Sequence, residues 1–294
     1  MSDTASPIAL GAIGAQFTQR DVTPVAAAEV ERLGYTALWI GGANDARLTT
    51  VEDALKATTT LIIATGIANV WSTDARSVAE TYHRFQSSYP DRFLLGIGAG
   101  HREYEHGFSS PYQAVTDYLD VLDDCDVPEH RRVLAALGPR MLKLATQRSA
   151  GPYPYLVSRA YTWKARERIG ADALLVVEHK VAIGDLDVTR AAGRDAIYPH
   201  LQLINYQTNL VRMGFAEDDM AGCGSDGLVD ALVAQGHAAL AAHQLRTQLD
   251  AGASHLVVNA IPPSDRLQTL RALAPKLGLA PSSKPPVATG RSVG

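Results

Sequence analysis

The sequence predicts an α/β fold, a (β/α)8 barrel of the TIM type, on three observations. Short apolar segments alternate with helical patterns along most of the chain. Eight of these segments are apolar at nearly every position, as in parallel strands that are buried on both faces. The length of 294 residues suits one barrel of this kind. An open, doubly wound parallel sheet is the alternative that the same alternation allows.

The predicted strands share runs of aliphatic residues that end at glycine or polar positions. In chain order they are Ile8–Phe17, Tyr35–Ile40, Leu61–Trp71, Arg92–Gly98, Arg132–Leu137, Tyr153–Val157, Leu174–Ile183 and Ser254–Ala260.

The predicted helices begin at prolines or capping residues and end at glycine or before proline. Pro24 and Pro139 stand at helix starts, Gly34 follows a helix end, and Ser72 or Asp74 can cap the third helix. The predicted ranges are Thr23–Leu33, Thr50–Thr59, a helix ending at Tyr89, Pro111–Leu122, Pro139–Arg148, Arg159–Ile169, Val188–Leu203, Gly227–Gln235 and Leu240–Ala251.

Composition narrows the classes of protein to which the chain can belong. Apolar residues make up 46% and charged residues 20%, as in a folded globular protein. A net charge of −4 argues against binding nucleic acid through a basic excess. Cys125 and Cys223 are far apart, which argues against a zinc site or a disulfide framework and favours a reducing, cytoplasmic setting. No apolar run approaches the ~20 residues of a membrane helix, and the first seven residues do not resemble a signal peptide.

The domain prediction is a single barrel over residues 1–279, followed by a tail. The stretch Asn205–Asp226 is too long for a simple connection and predicts an insertion before the last strand. Residues 280–294 are rich in Pro, Ser and Gly, which predicts disorder.

Glycines follow the fourth predicted strand, where a barrel places its active site. Gly96, Gly98 and Gly100 form a G-x-G-x-G run that would let the backbone approach a flat or phosphorylated ligand. The run lacks the spacing of the dinucleotide fingerprint, and a tight turn without a ligand is the alternative.

A second candidate binding position is the start of the helix after the fifth strand. Gly138 and Pro139 open this helix, and its free N–H groups would face the mouth of the barrel. Such a helix start can bind a phosphate or another anion. Ordinary capping explains the same residues equally well.

His101 follows the glycine run directly and is the candidate proton carrier. Histidine exchanges protons near neutral pH. The alternative is a solvated loop histidine beside its charged neighbours. The sequence contains no nucleophile elbow, P-loop or H-E-x-x-H motif.

Several segments resemble the luciferase-like superfamily of flavin-dependent and coenzyme F420-dependent oxidoreductases. They are ALWIGGA, LIIATGIANVW, SSYPDRFLLGIGAGH, VLAALGPRMLKLA, PYLV, NYQTNLVRMGF and GSDGLVDALVA, in the expected order over about residues 8–260. The later ones are similar to an actinobacterial subgroup described as F420-dependent. The resemblance implies a TIM-type barrel with an insertion region.

The resemblance also implies a set of cofactor contacts. A non-prolyl cis peptide bond is expected at Gly66–Ile67, where it would support the middle ring of the deazaflavin, with polar Asn69 just beyond it. The phosphate and ribityl contacts would fall on the loops after strands five and six. With the glycine run, the candidate cofactor residues are Gly66, Ile67, Asn69, Gly98, Gly100, Ala136, Leu137, Gly138, Pro139, Tyr155 and Leu156.

Two departures from the resembling enzymes bear on the reaction. A His at the end of strand two and a Glu at the end of strand four, present in some F420-dependent dehydrogenases, correspond here to Gly42 and His101. We therefore expect a reductase, in which reduced F420 gives a hydride to an activated C=C, imine or carbonyl. His101 is the first candidate proton donor and Tyr104 the next, with Tyr153 and Tyr155 as further choices.

Other functions remain open at this point. FMN could replace F420, giving a monooxygenase or a flavin reductase, and a barrel that has lost catalysis would also fit the missing polar group at Gly42. The expected partners are a small-molecule or modified-peptide substrate and a second copy of the chain in a homodimer, with no nucleic acid, membrane or metal. The insertion and the loop His101–Pro111 are expected to shape the substrate pocket.

Overall fold

The computed structural model describes residues 8–103 and 110–281, which contain ten parallel strands. The strands are β1 Ile13–Thr18, β2 Ala37–Gly41, β3 Ile62–Thr65, β4 Ala68–Asn69, β5 Phe93–Gly98, β6 Arg132–Ala135, β7 Pro152–Tyr153, β8 Val176–Val181, β9 Val233–Ala234 and β10 His255–Ala260.

The strands form a ring, which confirms the predicted barrel. Strand β1 pairs with β2 on one side and with β10 on the other, and β10 pairs with β8. In the other direction the order runs from β2 through β3, β5 and β6 to β7. The ring closes between β7 and β8 through an isolated bridge that joins Tyr155 to Glu178. We call this junction the seam.

Eleven α-helices accompany the described strands. They are α1 Pro24–Arg32, α2 Thr49–Ala57, α3 Ala75–Ser88, α4 Pro111–Asp124, α5 Pro139–Arg148, α6 Arg159–Ile169, α7 Leu186–Leu201, α8 Ile204–Met213, α9 Asp226–Leu232, α10 Ala238–Asp250 and α11 Arg266–Leu273.

The sequence signals at the helix starts act as predicted. Thr23 caps α1 by accepting a hydrogen bond from the amide of Ala26, and Pro24 opens the helix. Asp74, rather than Ser72, caps α3 by accepting from the amide of Ser77. Helix α5 begins at Pro139 after Gly138, without a side-chain cap.

The region before the last strand differs from its prediction. The expected helix Gly227–Gln235 is wrong at its end, because Val233–Ala234 forms β9 and pairs with Lys180–Val181. Both residues of β9 are buried, so the extended backbone gains ladder hydrogen bonds and apolar burial that another helical turn would not give. The insertion Asn205–Asp226 contains most of α8 and a short 3-10 helix, Glu217–Met220.

The third predicted strand is divided into β3 and β4. The peptide bond Gly66–Ile67 between them is cis, as the resemblance implies. Strand β3 pairs with β2 and β5, while β4 pairs with β5 only. Thr65 bridges the division, because its hydroxyl donates to the carbonyl of Gly96 and accepts from the amide of Gly96, both at 2.8 Å.

The barrel interior is a packed core below the mouth. The buried Trp39 lies at its centre, with the ring of Tyr153 at 4.6 Å between centroids. The indole of Trp39 donates to Nε2 of His255 at 3.1 Å, and Nδ1 of His255 lies 2.8 Å from the carbonyl oxygen of Gly11. Residues 282–294, most of the expected disordered tail, lie outside the described residues.

Candidate cofactor and substrate site

A cavity of about 870 Å³ opens at the carboxyl ends of the strands, where barrels place their active sites. This volume lies within the range of small-molecule and cofactor sites. Its walls come from the end of β1, from the loops after β3, β5, β6 and β7, from the inner face of β8, and from α7 and α8.

Most of the predicted cofactor residues lie on this cavity. Those that line it are Gly66, Ile67, Gly100, Ala136, Leu137, Gly138 and Tyr155, and the candidate proton donor His101 lines it too. The remaining cofactor candidates do not: they are Asn69, Gly98, Pro139 and Leu156.

Local packing explains where those residues lie. The Oδ1 atom of Asn69 accepts a hydrogen bond from the amide of Trp71 at 3.0 Å, so this side chain shapes the turn after β4. A Cβ atom on Gly98 would lie 2.9 Å from Cβ of Ala135, so this glycine allows two strands to approach. Leu156 is only 2% exposed and packs with the apolar core around α7 to α9. Tyr104, the second candidate proton donor, lies outside the described residues.

Charged residues from inside the barrel were missed as site residues. Glu178 and Lys180 on β8 line the cavity, together with Asn259 on β10 and Arg266 at the start of α11. The signal was present, since Glu178 and Lys180 are two residues apart in a strand whose other residues, except His179, are apolar, and they must share one face. His179, between them, faces the other way and contacts Gln248 at 3.1 Å.

The Glu178 carboxylate is held by two hydrogen bonds. The hydroxyl of Tyr153 donates to Oε2, and the amide of Asn259 donates to Oε1 at 2.7 Å. Burial raises the pKa of Glu178, while these donors and the charge of Lys180 oppose the rise. Burial also holds the pKa of Tyr153 well above its usual value, so its hydroxyl remains a donor.

Lys180 is different, because its ammonium faces the cavity. The residue is 6% exposed, and Nζ lies 5.1 Å from the centre of the Tyr155 ring. Among residues 8–103 and 110–281, none forms a recorded hydrogen bond or ion pair with this ammonium. Burial lowers the pKa of Lys180 to about 8, so the side chain still carries a positive charge at neutral pH.

Aromatic and imidazole rings form the wall next to Lys180. Ring centroids are 5.1 Å apart for Tyr155 and His200, 5.9 Å for Tyr155 and Tyr206, and 5.2 Å for His200 and Tyr206. His101 joins the group at 5.3 Å from Tyr206. Burial lowers the pKa of His200 to about 3, so this imidazole is neutral at physiological pH. We call these four residues the ring wall.

The start of α5 forms another part of the cavity. Gly138 precedes the helix, and Nη1 of Arg212 on α8 lies 3.3 Å from the position that a Cβ on Gly138 would take. A guanidinium close to the positive end of a helix is an arrangement that an anion between them would stabilise.

The described residues contain neither a metal-binding cluster nor a helix that could cross a membrane. In the part of the chain that the structure describes, no group of three or more His, Cys, Asp or Glu residues is arranged to hold a metal ion. None of the helices within those ranges is long and apolar enough to cross a membrane.

Comparison with known proteins places these features in context. The sequence model of the luciferase-like monooxygenase family matches residues 14–126. No match to the chain was found among curated proteins.

Three solved structures illustrate the similarity of fold. An F420-dependent secondary alcohol dehydrogenase, solved with an F420–acetone adduct, has a TM-score of 0.69 at 14% identity, with 90% of this chain and 98% of that one covered. The F420-dependent tetrahydromethanopterin reductase of Methanopyrus kandleri scores 0.64 at 13%, with coverage of 90% and 98%. The oxygenating constituent of 3,6-diketocamphane monooxygenase from Pseudomonas putida, bound to FMN, scores 0.63 at 15%, covering 92% and 99%.

These findings agree with the resemblance in the sequence. The match over residues 14–126 covers the first strands, the divided third strand and the glycine run, and the three solved structures share the fold over nine-tenths of the chain. The resemblance to the luciferase-like family is therefore confirmed over residues 14–126, and the solved structures show the same fold for the chain.

Proposed function

We propose that the chain is an oxidoreductase that binds reduced coenzyme F420 and transfers hydride to an activated C=C, imine or carbonyl of a small molecule or natural-product intermediate. The observation that carries this proposal is the cavity at the mouth, which the bare backbone of Gly66 and the glycine-led start of α5 both line. The two F420-dependent enzymes of similar fold support the choice of cofactor.

The residues present fit a flat ring with an anionic tail. Gly66 leaves the cavity wall without a side chain, and a Cβ there would approach the Tyr153 hydroxyl to 3.0 Å. A planar ring could therefore lie against Gly66 and Ile67. The start of α5 and Arg212 would hold the anionic end.

The protein's own residues would position the reactants and supply a proton. The bound cofactor supplies the hydride. The ring wall excludes water from one side of the cavity, and its His101 is the first candidate to give a proton to the reduced substrate. Tyr153 is a poorer candidate, because its hydroxyl already donates to Glu178.

FMN is the second candidate cofactor. The FMN-bound monooxygenase constituent has nearly the same structural similarity as the tetrahydromethanopterin reductase. FMN carries a similar tricyclic ring and a phosphate, so the same wall and helix start would hold it. With FMN, the expected chemistry is oxygenation or flavin reduction.

Side-by-side titration of the purified chain with F420 and with FMN tests the proposal, by fluorescence or calorimetry. We expect micromolar affinity for F420 and none for FMN. Arg212→Ala should weaken binding about tenfold to a hundredfold, because a charge-assisted hydrogen bond contributes ~1.5–3 kcal/mol. Arg168→Ala, an exposed arginine on α6 outside the cavity, is the matched control.

The outcomes separate the three functions. Preference for FMN would favour oxygenation or flavin reduction as the function. Binding of neither cofactor would contradict the proposal and favour a barrel without catalysis. Equal losses of affinity in Arg212→Ala and Arg168→Ala would contradict the anion site at α5 but would not affect the cofactor assignment.

A further inference from the structure

We propose that the part of the cavity around Lys180 binds the carboxylate of a flat, unsaturated or aromatic carboxylic acid, which is the substrate or its reacting part. The inference deepens the proposed function and rests on it only for the reduction of that acid. Binding of the carboxylate itself rests on the contacts described below.

The first step is that the Lys180 ammonium is buried without a direct acceptor within the described ranges. Burial of an ammonium is costly unless a partner compensates for lost hydration. Lys180 is 6% exposed on the inner face of β8, and its Nζ contacts the face of the Tyr155 ring rather than an acceptor within the described ranges. The side chain therefore presents to the cavity a cation that is compensated by the charge of Glu178 and the face of Tyr155 but has no direct acceptor within the described ranges.

The second step is that two acids of this region, Glu178 and Asp21, already have hydrogen-bond donors. Glu178, on the same face of β8, accepts hydrogen bonds from Tyr153 and Asn259. Asp21 accepts from Arg266 at 2.6 Å. Neither carboxylate forms an ion pair with Lys180 among the residues that the structure describes, so a bound anion can serve as the direct partner of this ammonium.

The third step is the sign of the charge around the cavity. The whole chain has a net charge of −4, yet the described cavity lining has an excess of cationic over acidic side chains. The cationic side chains are Arg102, Lys180, Arg212 and Arg266, and the acidic ones are Glu103 and Glu178. A cavity of this sign attracts anions although the molecule as a whole repels them.

The fourth step is shape, which selects a carboxylate. The ring wall places the flat surfaces of Tyr155, His200 and Tyr206 beside the Lys180 side. A planar conjugated group can stack against those rings while its carboxylate meets the ammonium. A phosphate usually recruits several donors, and the Lys180 side offers one ammonium.

The test compares acids with their neutral amides. Benzoate and cinnamate, and then benzamide and cinnamamide, are titrated by calorimetry into the full-length protein, with and without saturating cofactor. Lys180→Met removes the charge but keeps the apolar stem. Lys164→Met, an exposed lysine on α6 outside the cavity, is the matched control.

We expect each acid to bind the wild type and Lys164→Met at least tenfold more tightly than its amide. In Lys180→Met the ratio should fall to about one. The proposal is overturned if the ratio is unchanged in Lys180→Met, if neither acid binds the wild type in either cofactor condition, or if inorganic phosphate binds the Lys180 side more tightly than benzoate.

A second measurement needs no variant. Acetylation of lysines in the wild-type protein is followed by peptide mass spectrometry in the presence of benzoate or benzamide. Benzoate should slow acetylation of Lys180 at least fivefold without affecting Lys164, and benzamide should not. Absence of protection at Lys180 would contradict the proposal.

The results of these experiments can contradict the carboxylate site without contradicting the proposed function, and the reverse is also true. Cofactor binding is measured in the titration of F420 and FMN, whereas acid binding is measured as heat and as protection of one amine. Loss of cofactor binding with intact acid binding would leave the carboxylate site standing. The reverse result would leave an oxidoreductase whose substrate is not an acid.

Discussion

At the scale of single residues, the interior of this barrel combines an apolar core with a buried polar cluster around Glu178 and Lys180. Glu178 is satisfied by Tyr153 and Asn259, whereas Lys180 faces the cavity. A buried carboxylate depends strongly on its donors, because an unsatisfied buried acceptor costs its full desolvation energy. The Tyr153 hydroxyl therefore has a structural role at the site.

Tyr153→Phe tests this role. Removing the hydroxyl leaves Oε2 of Glu178 without that donor, so the free energy of unfolding should fall by about 1–3 kcal/mol. Urea unfolding followed by circular dichroism measures the change. Tyr198→Phe, at a residue that is 45% exposed on α7, is the control and should be nearly neutral. Equal stabilities of the two variants would show that the hydroxyl does not support Glu178.

The sequence predicted the backbone of the site better than its charged residues. Glycines at strand and helix ends indicate close approach of the backbone to a ligand, and Gly66, Gly100 and Gly138 do line the cavity. Glu178 and Lys180 were absorbed into a strand that was interpreted as uniformly apolar. Their partners Tyr153 and Asn259 are distant in sequence, so only the closed barrel brings them together.

At the scale of elements, the division between β3 and β4 is the main irregularity of the barrel. Residues Ile63 and Ala64 of β3 pair with the start of β5, whereas Ala68 and Asn69 of β4 pair with its end. The Thr65 hydroxyl compensates at this point by bonding both backbone groups of Gly96. A side chain thus replaces ladder hydrogen bonds where the strand changes register.

Thr65→Val tests that replacement. Valine has nearly the same shape but cannot bond the amide or the carbonyl of Gly96, so we expect a loss of about 2–4 kcal/mol of unfolding free energy. Thr146→Val on α5, where the hydroxyl donates only to a carbonyl of its own helix, is the control. Chemical denaturation measures both, and a loss below 1 kcal/mol for Thr65→Val would contradict the expectation.

Regular elements were predictable, and irregular ones were not. Caps and prolines gave the starts of α1, α3 and α5 within a residue or two, because those signals act locally. Strand β9 is two residues long and exists through its pairing with β8. Helix α8 begins at Ile204, and Leu203 before it provides no side-chain cap, so local sequence gives the helix no clear start.

At the scale of the whole molecule, three histidines with lowered pKa values link the stability of the fold to pH. Burial lowers the pKa of His179 and of His255 to about 4, and that of His200 to about 3, from a usual value of 6.5. The unfolded chain therefore binds protons more readily at these positions. Their stabilising contribution is present above pH 6.5 and is lost as the pH falls towards 4.

We expect the free energy of unfolding to decrease between pH 6.5 and 5, before most carboxylates titrate. Glu178, with a raised pKa, has the opposite effect and offsets part of the loss. An uptake of about two protons on unfolding corresponds to a slope of about 3 kcal/mol per pH unit. Urea titrations at half-unit intervals measure the slope, and a flat profile in this window would contradict it.

The seam between β7 and β8 is the place where we expect local opening of the barrel. The strand ladder around the ring is weakest there, at one bridge between Tyr155 and Glu178, and both residues line the cavity. A bound molecule that contacts both Tyr155 and Lys180 would bridge the two sides of the seam. Its binding energy would then appear as slower hydrogen exchange of the β7 and β8 amides. Ligand recognition and mechanical closure of the barrel are thus two aspects of the same junction.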